Sequence, residues 1–457
     1  MRDRLSALDS MFLAVESDTQ SLHVGSVLIL GGPEPGPAEF SDLVAARVAA
    51  VPILRRKVLR MPLELGRPIW VDDARFRGAD HVHHVVLGTP GDARRLREAV
   101  SGIMGPRLDP DRPLWEVWQV GGLDNGRWAV LAKSHHTMID GQSGIDLVQA
   151  LLADGRDAPP LPPVVSDALP APLRLQLFGD LLGWLARLPL RAVRLLGRFA
   201  ASPSEALRRV KQIRFGLAQV VRPDLPPSVL SGPLGPRRSW GWADADLGAV
   251  ARTAKEAGCT VNDVYLAALA GAYRRFLLDR GEPLAGTVLR AIVPVGHRTT
   301  ASGGRRRNLA SAMFVELPVD LPDARARLAA VTARTAVQKS RAVADATAAF
   351  VAAADHVPAP LLAWASRLYG RSRQGRVNVA ATNIPGPPQT QFLGGRRVLD
   401  FIPYVPVALD VRATSAMVSY AGRLTVGITA DADSLPDADR LVHAVGEEFR
   451  LLMGATG

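Results

Sequence analysis

The stretch Lys133-Ser134-His135-His136-Thr137-Met138-Ile139-Asp140-Gly141 sets two adjacent imidazoles, a carboxylate and a glycine side by side. A neutral histidine with one free ring nitrogen takes a proton from a hydroxyl or an amine near pH 7, so the segment holds the parts of a general-base site. Two other readings fit the same residues. His136 and Asp140 could form a metal pair, although no third ligand stands at metal-site spacing and Asp-Gly suits a turn. The histidines could also be a hydrogen-bonded structural pair.

The flanking elements decide how the two rings are presented. Trp115–Val120 has strand character, Asp124-Asn125-Gly126-Arg127 is a tight-turn signal, and Trp128–Ser134 alternates on the way back, which predicts a hairpin closed by the histidines. If the strand runs through them, successive side chains face opposite sides, and His135 and His136 take different jobs. Ile145, Leu147, Val148, Leu151 and Leu152 then show helical spacing. The motif is therefore expected at a strand–loop–helix junction.

His-His-x-x-x-Asp-Gly resembles the signature of the CoA-dependent acyltransferase superfamily, which includes chloramphenicol acetyltransferase, plant acyltransferases and the condensation domains of peptide synthetases. Pro113-Leu114-Trp115, Leu5-Ser6-Ala7-Leu8-Asp9-Ser10-Met11-Phe12 with His23-Val24-Gly25, Val261-Asn262-Asp263-Val264, and Thr382-Asn383-Ile384-Pro385-Gly386-Pro387 narrow the resemblance. They are similar to the bacterial wax ester synthase/acyl-CoA:diacylglycerol acyltransferase family, in that family's order over nearly the whole chain.

The resemblance implies an α/β, two-domain chloramphenicol-acetyltransferase-like fold with the active-site channel between the domains. It implies transfer of a fatty acyl group from long-chain acyl-CoA, a co-substrate and not a bound cofactor, to diacylglycerol or a long-chain alcohol. On this reading His136 is the base and His135 holds the local geometry. Asp140 braces the loop through Arg298, Gly141 lets backbone approach the ligand, and Asn262, Thr382 and Asn383 contribute to the channel. No metal is expected. The chain departs from the family at Gly296-His297-Arg298 and Arg307-Asn308, where Ser-x-Arg and Gly-Asn are usual. Rival readings are a polyketide-type diol or sugar-lipid acceptor, a catalytically silent lipid-binding homologue, and a peptide-synthetase condensation module, which the absence of a carrier-protein Ser motif disfavours. Arg55-Arg56-Lys57 would meet a CoA phosphate or stand as a solvated surface.

The 457 residues are 47% hydrophobic and 22% charged, enough for two domains with large cores. The single cysteine, Cys259, excludes an internal disulfide. No secretory h-region is read at the start, and no apolar run reaches the roughly 18–20 residues that span a bilayer. The formal net charge of +11 comes almost wholly from arginine. Clustered Lys/Arg with aromatic platforms is not found, so nucleic acid is not expected as a partner. His81-Val82-His83-His84 looks like a ligand cluster, but Val82, Val85 and Val86 argue for sheet packing.

The expected layout is a first domain over 1–155, a crossover linker over 156–236, and a second domain over 237–457. Proline-rich and Gly-Pro stretches bound the linker, and inside it Arg187, Arg191, Arg194 and Arg198 share one helical face with Leu188, Leu195 and Phe199 on another. That pattern fits a helix lying on an anionic membrane surface or lipid droplet, or one packed across the protein. The location expected is cytoplasmic, peripheral to the inner face of the membrane or to lipid droplets. In the second half, helices are predicted over 244–257 and from a capping box at Thr260, and strands over 288–295, 309–319 and 377–383. A hairpin is predicted about Ala421-Gly422-Arg423, followed by a final helix over 438–452.

Overall fold

The computed structural model describes residues 4–138 apart from Leu65, then 146–156, 228–296, 310–340, 357–371 and 376–454, with isolated positions between 172 and 226 and at 354–355. The first part contains α1 (Ala7–Val15), β1 (His23–Leu30), α2 (Pro37–Val48), β2 (Arg56–Leu59), β3 (Ile69–Asp72), β4 (Val82–Val86), α3 (Ala93–Met104), β5 (Trp115–Leu123), β6 (Arg127–His135) and α4 (Asp146–Leu151). After the linker come β7 (Arg238–Asp246), α5 (Leu247–Glu256), α6 (Val261–Leu278), β8 (Leu289–Gly296), β9 (Ala310–Leu317) and α7 (Ala324–Ser340). The chain then runs through α8 (Ala359–Arg371), β10 (Val379–Pro385), β11 (Phe392–Leu393), β12 (Arg396–Tyr404), β13 (Ala413–Tyr420), β14 (Arg423–Asp431) and α9 (Ala438–Gly454).

Among the described residues these strands form two mixed six-stranded sheets, ordered β11-β12-β1-β6-β5-β4 and β7-β14-β13-β10-β8-β9, and a small β2-β3 ribbon. The hairpin read from the sequence is the centre of the first sheet, and its alternation has a physical cause. Trp128, Val130 and Ala132 of β6 face a core shared with α2 and α4, while Ala129 and Leu131 face a second core shared with α3. Both faces are covered, so the strand is buried along nearly its whole length. Helix α3 begins at Asp92, whose side chain accepts from Arg95 N at 2.9 Å, and buries Leu96, Val100 and Met104 at four-residue spacing.

The segment after residue 237 contributes to both sheets. Strand β12 leaves it to pair antiparallel with β1, from Gly25↔Tyr404 to Leu30↔Val398. The sheets meet tightly there: a Cβ on Gly427 of β14 would stand 2.0 Å from Pro403 O, the same carbonyl that accepts from Trp240 Nε1 at 3.1 Å. Glycine is the residue that allows this approach.

The helix predicted from Asp244 is corrected. Arg238–Asp246 is strand β7, paired along its length with β14, and the N-cap of α5 is Asp246, which accepts from Ala249 N at 2.6 Å. Cross-strand pairing and the burial of Trp240 override the local helical preference. Helix α6, by contrast, starts where its capping box places it. Asp263 accepts from Thr260 N at 2.9 Å and from Thr260 Oγ1 at 2.7 Å, and its other oxygen accepts from Thr335 Oγ1 of α7 at 2.7 Å. From Asp263 to Tyr273 the helix is buried on every side, as expected for a core helix.

Asp263 thus caps α6 and ties it to α7 while itself 2% exposed. Asp263→Ala is expected to cost about 2–4 kcal/mol, the loss of a cap plus an orphaned buried hydroxyl. A lowered urea midpoint at unchanged m-value would show this; a midpoint within error of the wild type would refute the role.

Candidate active site

Strands β1 and β6 pair with His23 opposite His135, which brings two imidazoles to the same end of the sheet with ring centroids 6.0 Å apart. Helix α1, capped by a Ser6/Asp9 box, ends at Val15 and turns into extended backbone at Glu16. That turn drops the Glu16 carboxylate between the rings. Its Oε1 lies 3.4 Å from His23 Nε2 and 3.5 Å from His135 Nε2, and its Oε2 lies 3.1 Å from Arg107 Nη2. The two imidazole contacts are long for hydrogen bonds and act chiefly as charge–dipole attraction. Burial alone would raise the Glu16 pKa, but the His135 and His23 rings aimed at it hold the carboxyl well below the usual range. His23 is lowered in turn, mainly by its own burial.

The adjacent histidines do different things. His135 closes β6 and is buried: Nδ1 accepts from Thr137 N at 3.1 Å and meets Thr137 Oγ1 at 2.8 Å, while Nε2 makes no hydrogen bond among the described residues and faces Glu16 Oε1 at 3.5 Å. An accepting Nδ1 puts the proton on Nε2, the tautomer a carboxylate favours. His136 begins a 3-10 turn over His136–Met138, so its ring departs from the strand and packs on Phe12 of α1, centroid to centroid 4.4 Å. Its Nδ1 is buried without a partner among the described residues. Burial, with His135 beside it, lowers its pKa to about 4, so the ring is neutral at pH 7.

Behind them, the buried Lys133 donates to Ile103 O at 2.9 Å and Pro106 O at 2.8 Å, fixing the end of α3 against β6. A small cavity lined by Glu16, His23, Arg60, Leu108, Leu114 and His135, among others, opens on this side, beside His135 and away from His136. It belongs to the network of Glu16, His23 and His135.

Asp140, Gly141 and Arg298, and with them Arg307 and Asn308, lie outside the described residues. Asn262 sits half-buried in the first turn of α6. Thr382 and Asn383 stand in β10 beyond its pairing with β8, which among the described residues runs through Val379↔Ala291 and Ala380↔Ile292. From Ala381 onward β10 pairs with β13 alone among the described residues, and there Thr382 is half-buried and Asn383 exposed. Among the described residues, no hydrogen bond joins Asn262, Thr382 or Asn383 to either histidine.

Arg56 and Lys57 are answered by Asp72 and Asp73, each at 3.3 Å, while Arg55 Nε has no hydrogen-bond partner among the described residues. His81 stacks on Trp115 at 4.6 Å with Nδ1 2.9 Å from the Trp115 carbonyl, and His83 lies against Trp118, as sheet packing requires. No group of metal-ligating side chains is found among the described residues. The residues that sequence reasoning missed are Glu16 and Arg107. No local pattern marks them; the His23↔His135 register is what brings them into use.

Comparisons with known proteins bear on the whole chain. Residues 5–265 match the family model of the wax ester synthase/diacylglycerol acyltransferase catalytic domain, and residues 307–453 match that of the family's C-terminal domain. A Mycobacterium tuberculosis protein named as a probable diacyglycerol O-acyltransferase, tgs1, is 33% identical over 462 aligned residues, covering 99% of this chain and 96% of that one. The fold is similar to the wax ester synthase/diacylglycerol acyltransferase from Marinobacter aquaeolei VT8, with a TM-score of 0.69 at 22% identity over 99% and 100% of the two chains. It is also similar to the first condensation domain of the calcium-dependent antibiotic synthetase, with a TM-score of 0.61 at 17% identity over 99% and 96%. Two family models in order and a relative matched over nearly its full length place the chain in the wax ester synthase/diacylglycerol acyltransferase family.

Proposed function

We propose that His136 is the general base in transfer of an acyl group from acyl-CoA to the hydroxyl of diacylglycerol or of a long-chain alcohol. The chain, like its family, is an acyl-CoA-dependent acyltransferase. The observation carrying the assignment is the contrast between neighbours: the His135 ring lies between Thr137 and the Glu16 carboxylate, whereas the His136 ring is neutral, packs on Phe12 and has no partner for Nδ1 among the described residues. The thioester is already activated, so no covalent enzyme intermediate is needed. His136 removes the acceptor's hydroxyl proton as the oxygen attacks the thioester carbonyl carbon. The tetrahedral intermediate then expels the CoA thiolate, which recovers the proton from the imidazolium. His135, held between Thr137 and Glu16, is a positioning residue that fixes the backbone from which His136 projects.

We assign Asp140 and Arg298 to a brace of the loop after the histidines, in the manner of a structural ion pair, and not to a triad. Gly141 provides close backbone approach, and Asn262, Thr382 and Asn383 supply polar contacts along the channel. The edge of β10 that has no strand partner among the described residues supports this placement, since such an edge offers hydrogen-bonding groups to a ligand. We place the reaction at a lipid surface on the cytoplasmic side, because the acceptors are too apolar to arrive through water. No described helix is long and apolar enough to cross a membrane.

Three expected outcomes test this reading. With palmitoyl-CoA and either diacylglycerol or hexadecanol, His136→Ala should lower thiol release by roughly 100-fold or more with acyl-CoA binding nearly intact. Equal loss of binding and turnover would make His136 structural, and no thiol release from the wild type with either acceptor would leave a silent lipid-binding homologue.

The pH–rate profile should stay flat on its acid side until the pH approaches the His136 value of about 4, because the base is active only when unprotonated. An acid limb at the ordinary histidine value would assign the base elsewhere.

Glu16→Gln should destabilise the protein at neutral pH by about 1–3 kcal/mol. A depressed carboxyl stabilises the fold above its unfolded value of 4.5 and loses that contribution as pH falls. The deficit of the variant, followed by thermal unfolding, should therefore shrink below that pH; a deficit independent of pH would deny the carboxylate its role.

A further inference from the structure

The carboxylate that answers the two imidazoles hangs from a short loop, Glu16–Gln20, between α1 and β1. The loop is pinched across its base, with Ser17 N donating to Gln20 O at 3.0 Å and Gln20 N to Ser17 O at 3.1 Å. Ser17, Asp18 and Thr19 are exposed, so hydrogen bonds and not packing must fix where the loop sits.

Two of those bonds come from the segment after residue 237. The buried Gln20 carries one of them: its Nε2 donates to Val15 O at the end of α1 at 2.8 Å, and its Oε1 accepts from Leu409 N, between β12 and β13, at 2.7 Å. Arg238, the first residue of β7, carries the other. Its Nη2 donates to Thr19 O while its Nη1 donates to Gly235 O at 2.6 Å. The guanidinium is backed by its cross-strand neighbour on β14, Asp431, whose Oδ1 lies 3.5 Å from Nη1 and also accepts from Gly235 N at 3.0 Å.

Both anchors are held in unfavourable states. Leu409 and Asp410 have φ of 52° and 61°, a left-handed conformation that a leucine rarely adopts. Arg238 and Asp431 are a charge pair withdrawn from water. Such arrangements persist only where the surroundings over-determine them, and they gather at working sites. Here Gly232 N donates to Asp410 O at 2.8 Å and Gln20 fixes Leu409 N, so the strained pair and the loop are locked together.

We propose that Gln20 and Arg238 are positioning residues for acyl transfer, through which the second part of the chain sets the Glu16 carboxylate against His23 and His135. Their effect on turnover rests on the acyltransferase reading above; their effect on Glu16 does not. The groups facing that carboxylate are His23 on β1, His135 on β6, and Arg107 after α3, which also meets Asp18 at 3.6 Å. Lys133 on β6, paired with Glu116 at 3.7 Å, and Arg60 after β2 stand further off. A loop released by its two anchors draws the carboxylate away from the rings, and His135 loses the partner that orients it.

Gln20→Met removes both side-chain hydrogen bonds at similar volume. Arg238→Lys keeps a cation opposite Asp431 but gives up the planar head that spans Gly235 O and Thr19 O. With palmitoyl-CoA and diacylglycerol, each variant should lower kcat by roughly 10-fold with the KM for acyl-CoA within about twofold, and Glu16→Gln should do the same. Neither change should lower kcat further when placed on Glu16→Gln, because the group it positions has already lost its charge.

Thermal unfolding gives a second readout that needs no turnover. The held-down carboxyl stabilises the fold above its unfolded value of 4.5 and loses that contribution as pH falls, so the deficit of both variants should be largest at neutral pH and shrink below that value. The two substitutions release the loop at different points, and either one decides the matter if the other does not fold. A deficit equal at every pH, or losses of kcat that add in full to those of Glu16→Gln, would make Gln20 and Arg238 ordinary structural residues and overturn the proposal. If the deficits follow pH but the wild type releases no thiol with either acceptor, the positioning of Glu16 stands and the catalytic reading falls.

Discussion

The pairing of β1 with β6 in the register His23↔His135 is the constraint on which the site depends. In a strand the side-chain period is two, so a slip of one residue would send His135 to the opposite face and replace it with Ser134 or His136. The register is held from both sides. Alternate residues of β6 pack into two different cores, which fixes one edge, and β12 closes the other edge of β1 with a ladder through Gly25–Leu30. Only with β1 so held do Glu16, His23 and His135 meet.

The meeting has an electrostatic logic. A carboxylate shut away from water is costly unless it is answered, and here two rings and the Arg107 guanidinium answer it. The arrangement fixes the His135 ring between Thr137 and the carboxylate. The 3-10 turn lifts the ring beside it out of the ladder and onto Phe12, where Nδ1 has no partner among the described residues. Two identical side chains in sequence thereby acquire different surroundings, one facing a carboxylate and one packed on an aromatic ring, through a change of backbone conformation between them. Perturbed titration beside a committed ion cluster is the usual mark of a working site.

Much of this organisation could be read from residues alone. The hairpin around Asp124–Arg127 shows in its alternation, α3 in its N-cap and four-residue apolar spacing, and the start of α6 in its capping box, because each signal is local. What escaped was non-local. Strand β12 contains Arg396, Asp400 and Pro403, and its burial does not alternate regularly because it lies where the two sheets abut. Strand β7 looked helical at its end because its identity as a strand comes from pairing with β14. Glu16 sits in an undistinguished polar stretch and acquires a role only through the register of strands far from it in sequence. The bracing of the loop by Asp140 and Arg298 remains a reading of the family pattern, as those residues lie outside the described ones.

The path of β12 also bears on how the molecule is made. Strand β1 is among the first elements to leave the ribosome, and β12, the strand that covers its open edge, is among the last. Until then the growing chain carries an unpaired, strongly apolar strand edge in the middle of its first sheet, the kind of edge that recruits other chains. Its two ends are joined by contacts nearly the full length of the chain apart, which makes closure slow. The active-site end of the sheet is therefore finished only after synthesis of most of the protein, so a nascent or truncated polypeptide has the histidine motif without the geometry that differentiates its two rings.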